Sequence, residues 1–180
     1  MNLILFGFKG AGKTHFGRKF AHRLHRPFID TDELLEELYA EEKGERLISR
    51  QIFQKLGGVG FRAFEKQAIL TLTGIKDSVI ALGGGAVIDP ENVAFLQKLG
   101  AMVYLKASPE TLRKRMQQAV ERGESSKVID EKIFWQLIQE RFPLYESIPC
   151  DTVDTDKLDE EGVVAALRSI LILADPPNGF

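Results

Sequence analysis

The sequence predicts an α/β domain: a parallel sheet with helices on both faces, three layers in all. Two observations predict it. Short apolar runs alternate with segments of helical periodicity along the chain, the pattern of repeated β-α-β units. Between the first apolar run, Leu3-Ile4-Leu5-Phe6, and the first helical stripe, Phe16, Phe20 and Leu24, lies Gly7-Phe8-Lys9-Gly10-Ala11-Gly12-Lys13-Thr14. That stretch fits G-x-x-x-x-G-K-[ST], a loop whose amides cradle phosphate. Glycines let the backbone approach the anion, and the following helix N-terminus adds partial positive charge. Lys13 can then reach the β- and γ-phosphates, and the Thr14 hydroxyl can ligate Mg²⁺.

Length and composition bound the rest. The 180 residues suit one compact domain, here 1–175, with 176–180 expected to fray. A formal net charge of −2 gives no reason to expect a nucleic-acid or membrane partner. The one cysteine, Cys150, excludes an internal disulfide and suits a reducing compartment. The chain opens inside its first strand, and no apolar run approaches a membrane span, so the expectation is a soluble cytoplasmic protein.

Each element has its own signal. The first helix runs from about Thr14 to His25; His22 and His25 read as surface residues, and His15 as a contributor of its backbone amide to the phosphate loop. Phe28-Ile29 is a second short strand with Asp30-Thr31-Asp32 at its carboxyl end, where open α/β sheets bind ligands. One of these carboxylates could serve Mg²⁺ and the other an acceptor hydroxyl; the competing reading makes Asp32 a helix cap. Glu36, Glu37, Glu41 and Glu42 read as a solvated face. Ile48 to Leu56 is helical and stops at Gly57-Gly58, and a longer helix follows from Phe61 to Thr73. On it, Arg62 and Glu65 share a face, either as a surface pair or as a grip on a substrate carboxylate.

Ser78 to Leu82 is a buried strand that ends in Gly83-Gly84-Gly85, which suggests a ligand against the backbone. No acidic residue ends that strand, so a metal carboxylate is expected from Asp30. Asp89-Pro90 and Ser108-Pro109 start helices on either side of the strand Ala101 to Leu105. The polar stretch from Glu121 to Lys127 reads from composition as a charged surface loop. Asp130 to Tyr145 is a helix with Ile133, Phe134, Leu137, Ile138 and Phe142 on its apolar side, and Arg141 near its end before Pro143. Asp151 to Thr155 is the last strand, and Asp159 to Leu173 the last helix.

The ordered set Gly7-x-x-Gly10-x-Gly12-Lys13-Thr14, Asp30-Thr31-Asp32, Phe61-Arg62-x-x-Glu65, Gly83-Gly84-Gly85-Ala86-Val87 and Arg141-x-Pro143-Leu144-Tyr145 resembles the shikimate kinase family, from about Leu3 to Thr155. The resemblance implies a P-loop kinase of nucleoside-monophosphate-kinase type that moves the γ-phosphoryl of ATP to the 3-hydroxyl of shikimate with Mg²⁺, as a monomer. It implies that Lys13, Asp32 and Arg122 are catalytic. Gly10, Ala11, Gly12, Lys13, Thr14, His15, Arg115 and Arg122 would bind ATP, and Thr14 and Asp30 the metal. Asp32, Arg62, Glu65, Gly83, Gly84, Gly85 and Arg141 would bind shikimate. Arg122, seven residues after Arg115 and nineteen before Arg141, falls where the family has its lid arginine, which turns the loop at about 115–128 into a lid. Three departures stand out: Arg122-Gly123-Glu124-Ser125 replaces the usual Arg-Pro-Leu-Leu, His15 follows Thr14, and Leu158 stands where an adenine-side arginine is expected, with Lys157 beside it. The competing functions are a sister kinase for gluconate or a nucleoside monophosphate, and a nucleotide-dependent switch. The switch pattern D-x-x-G occurs only at Asp159-Glu160-Glu161-Gly162, far along the chain from the phosphate loop.

Overall fold

The computed structural model describes residues 1–123 and 129–175. Five parallel strands lie in the order β2-β3-β1-β4-β5. They are β1 (Asn2–Phe6), β2 (Phe28–Asp30), β3 (Val79–Ala81), β4 (Gly100–Lys106) and β5 (Asp151–Asp154). The connecting helices are α1 (Lys13–Leu24), α2 (Thr31–Lys43), α3 (Ser49–Leu70), α4 (Pro90–Leu99), α5 (Pro109–Glu121), α6 (Glu131–Ser147) and α7 (Glu160–Ala174). The central strand β1 is buried along its whole length, which is why it reads as an unbroken apolar run. Its register, Leu3 beside Val79 and Leu5 beside Ala81, brings the carboxyl ends of β1 and β3 to within one residue of each other. The loop after β1 and the glycine turn after β3 therefore start side by side.

Helix starts follow their caps. Asp89, Ser108, Asp130 and Asp159 each accept a backbone N–H of the first turn they precede. Asp159 accepts from Gly162 N at 2.8 Å, so the D-x-x-G pattern is a helix cap and not a nucleotide switch. The cap of α2 is Asp30, not Asp32: Asp30 Oδ1 accepts from Asp32 N at 3.0 Å. Asp32 sits inside the first turn with its carboxylate free for another purpose.

Two expectations hold and two need correction. The helix runs through Pro143 as expected and reaches Ser147, with Tyr145 beyond the proline packed into the core. On that helix Ile133 is exposed, and Phe134, Ile138 and Tyr145 form the buried side. Helical geometry breaks at Gly57, at φ 67° and ψ −177°, as the glycine pair predicts, and resumes from Gly58 rather than Phe61, so α3 is two helical segments joined at a kink. Glu36 is not a solvated charge: its Oε1 accepts from Ser49 N at 2.7 Å and Ser49 Oγ at 2.9 Å, tying α2 to the start of α3.

Two hydrophobic cores result. The large one surrounds the sheet. The small one, Leu35, Tyr39, Ile52, Phe61, Phe64 and Ala68, joins only α2 to α3.

Candidate active site

The phosphate loop, Asp30–Asp32 and Gly83–Gly85 lie at or just past the carboxyl ends of β1, β2 and β3, and Arg62 and Arg141 reach the same rim from α3 and α6. The phosphate loop follows β1. Gly12 takes φ 94°, and a Cβ there would stand 2.5 Å from the Phe16 ring, so only glycine serves. Phe8 is buried edge-on against Phe134 and Phe142, which anchors the loop to α6. Lys13 Nζ donates to Gly7 O at 3.0 Å and Phe8 O at 3.1 Å. Burial lowers the Lys13 pKa to about 8, against the opposing pull of Asp32 and Asp30.

The acidic pair meets this loop. Thr14 Oγ1 donates to Asp30 Oδ2 at 2.8 Å. Among the described residues no three His, Cys, Asp or Glu side chains gather as a metal cage. One hydroxyl beside one carboxylate, completed by phosphate and water, is nonetheless the sparse oxygen set that Mg²⁺ favours. The residues present fit the ion. Asp32 is pushed up to about 6, first by burial and then by Asp30, with Lys13 opposing.

The glycine turn after β3 gathers the acceptor groups. A Cβ on Gly83 would stand 2.5 Å from Asp32 Oδ1, one on Gly84 3.4 Å from Arg141 Nη1, and one on Gly85 2.2 Å from both Arg62 Nη atoms. The missing side chains of these glycines admit three charged groups of the protein itself. Arg62 pairs with Glu65, which is 3 % exposed and whose carboxyl is raised by burial against the pull of that arginine. The surface-pair reading of Arg62 and Glu65 therefore fails, because one partner is buried. Arg141 Nη1 donates to Gly84 O at 3.2 Å, and its guanidinium stands over the Phe8 ring at 5.9 Å. Arg141 Nε is buried with no hydrogen-bond partner among the described residues. Asp32, Arg62 and Arg141 thus converge on one glycine turn beside the phosphate loop, with Glu65 behind Arg62.

The nucleotide side is less complete. Arg115 bridges the phosphate loop and the exit of β5, donating to Gly10 O at 3.5 Å, Thr155 Oγ1 at 2.9 Å and Thr155 O at 3.1 Å. His15 points its exposed ring to Glu160, 3.4 Å away. Lys157 pairs with Asp154 at 2.8 Å. Arg122 caps the end of α5, so the first part of the predicted lid, Arg115 to Glu121, is helix. The remainder at 124–128 lies outside the described residues, as does the tail at 176–180.

Three contributors escaped the sequence reading. Tyr145 OH donates to Gly84 O at 2.5 Å, Asn92 Nδ2 donates to Ala86 O at 3.0 Å, and Thr31 Oγ1 accepts from Gly83 N at 2.9 Å. Tyr145 closes the quoted Arg-x-Pro-Leu-Tyr motif and Thr31 sits inside the quoted Asp-Thr-Asp motif, which were their available signals; Asn92 carries none.

The site can be set against known proteins. A model of the shikimate kinase family matches residues 9–171. A shikimate kinase of Caldanaerobacter subterraneus subsp. tengcongensis is 36% identical over 172 residues, covering 96% of this chain and 97% of the relative. The crystal structure of shikimate kinase from Bacteroides thetaiotaomicron superposes with a TM-score of 0.78 at 28% identity, over 96% of this chain and 97% of that one. Shikimate kinase from Acinetobacter baumannii in complex with shikimate gives 0.75 at 33% identity, over 96% and 91%. With phosphate loop, acidic pair, glycine turn and arginine pair all on one rim, and relatives matching end to end, the chain belongs to the shikimate kinase family.

Proposed function

We propose that this chain transfers the γ-phosphoryl of ATP to the 3-hydroxyl of shikimate. The observation that carries the proposal is the convergence of Asp32, Arg62 and Arg141 on the Gly83–Gly85 turn, beside the phosphate loop. Arg62 and Arg141 would hold the shikimate carboxylate, and Glu65 would keep Arg62 in place. Asp32 would orient the 3-hydroxyl and accept its proton as the bond to phosphorus forms. Lys13 and the amides of Gly10 to His15 would position the phosphates, with Arg115 on the adenine side. Arg122 is assigned the covering charge by resemblance. Thr14 and Asp30 would hold Mg²⁺, which when bound supplies charge neutralisation at the phosphate oxygens.

A monomer in the cytoplasm, with neither nucleic-acid nor membrane partners, accords with the near-zero charge and single thiol. Among the described residues no helix is long and apolar enough to cross a membrane.

An ADP-release assay with shikimate, gluconate and nucleoside monophosphates as acceptors tests the function. The expected result is turnover with shikimate alone, abolished by EDTA and restored by excess Mg²⁺. Preferential turnover of gluconate or a nucleotide would overturn the assignment.

A further inference from the structure

We propose that Thr31 is a positioning residue for phosphoryl transfer: its hydroxyl oxygen pins the Gly83 amide and so holds the glycine turn against the Asp32 carboxylate. This rests on the reading of Asp32 as the group that faces the acceptor hydroxyl.

The observations are local to one point in the fold. Thr31 is the first residue of α2 and 2 % exposed. Its Oγ1 takes the Gly83 N–H in a buried bond that spans 52 residues of sequence. The sheet ladder has run out there: Leu82 N still donates to Leu5 O at 2.9 Å, and Gly83 N is the next donor along. A buried amide needs a partner, and Thr31 supplies it from outside the ladder. The neighbouring Asp32 presses Oδ1 into the space a Gly83 Cβ would take. Two consecutive side chains of α2 therefore meet the same glycine, one through a hydrogen bond and one through close contact. Tyr145 and Asn92 hold the same turn at Gly84 O and Ala86 O, from α6 and α4. Arg141 also donates to Gly84 O, and of these four side chains only Thr31 belongs to the helix that carries Asp32. Losing it lets the turn and Asp32 drift relative to each other, and reaction rates are sensitive to small misplacements of this kind.

The experiment is a kinetic cycle. Thr31→Val keeps the shape and removes the acceptor oxygen; Thr31→Ser keeps the oxygen. Both are made in the parent chain and, with valine, in an Asp32→Asn background, and kcat and both KM values are measured. Thr31→Val is expected to lower kcat about 10- to 100-fold with the KM for ATP little changed, and Thr31→Ser to restore most of the loss. On Asp32→Asn, Thr31→Val should cost no further turnover, because the two act as a unit. Parent-like kcat in Thr31→Val, equal impairment by serine and valine, or a full repeat of the loss on Asp32→Asn would each overturn the proposal. Should valine prevent folding, as read by circular dichroism, Thr31→Ala replaces it in the same cycle. An Asp32→Asn enzyme with normal turnover would instead refute the Asp32 assignment, a separate failure.

Discussion

At Lys13 the phosphate loop concentrates its charge. The ammonium is tethered to two carbonyls of its own loop and stands within reach of Asp30 and Asp32. Removing such a preorganised donor from a transferring group typically costs about 100- to 1,000-fold in rate, and Lys13→Ala is expected to lose that much kcat while its circular dichroism stays unchanged. Arg62 has a different task. It is held by the buried Glu65 and lies against Gly85. Arg62→Ala is therefore expected to raise the shikimate KM about 10- to 100-fold, the worth of a hydrogen bond between charged groups, and to leave the ATP KM near parent. Equal rises in both constants would contradict a carboxylate role. At this scale the sequence was informative wherever chemistry needs a rare residue pattern, as at Lys13 or Asp30. It assigned no role to Thr31, whose function exists only because β2 and β3 pair and bring residue 31 beside residue 83.

Among the elements, α3 breaks where its glycines predict a stop, and its packing decides how soon the helix resumes. Two glycines at 57 and 58 read as a stop, and the chain does leave helical geometry at Gly57. It resumes at once, because Phe61 and Phe64 beyond the kink share the small core with Ile52 before it. The two glycines are not equivalent. Gly57 holds a backbone conformation open almost only to glycine, with empty space around it, and Gly58 has ordinary φ with equally empty space. Gly57→Ala is expected to destabilise by about 1–3 kcal/mol. Gly58→Ala is expected to stabilise by about 0.4–1 kcal/mol. Opposite shifts in thermal midpoint would confirm this reading of the kink; shifts of the same sign would refute it. At Pro143 the expected continuation of the helix holds. The missing N–H is a local cost, and the buried Tyr145 beyond it decides that the helix continues.

For the molecule as a whole, the division into two cores matters most. The sheet and its helices share the large core, which also supports the phosphate loop through Phe8 and Phe16. The α2–α3 pair, which carries Asp32, Arg62 and Glu65, relies on its own six buried side chains. A smaller core means a lower free energy of local opening. Amides of α2 and α3 are expected to exchange with deuterium faster than those of β1 and β4, and addition of shikimate to slow the former selectively. Uniform exchange across both regions would show a single cooperative unit. The α/β architecture was legible from alternating periodicity alone. The existence of two cores was not, since Phe61 and Phe64 look like any other apolar stripe until their partners are known.

The glycine turn has a consequence for inheritance. At Gly83 and Gly85 even a methyl group would collide with a charged atom of the site, and at Gly84 a larger side chain would meet Arg141. Neither core depends on those side-chain positions. A missense change in any of three adjacent codons would thus strike the chemistry and leave a chain that still folds. The lesion would be inherited as a full-length, catalytically silent protein.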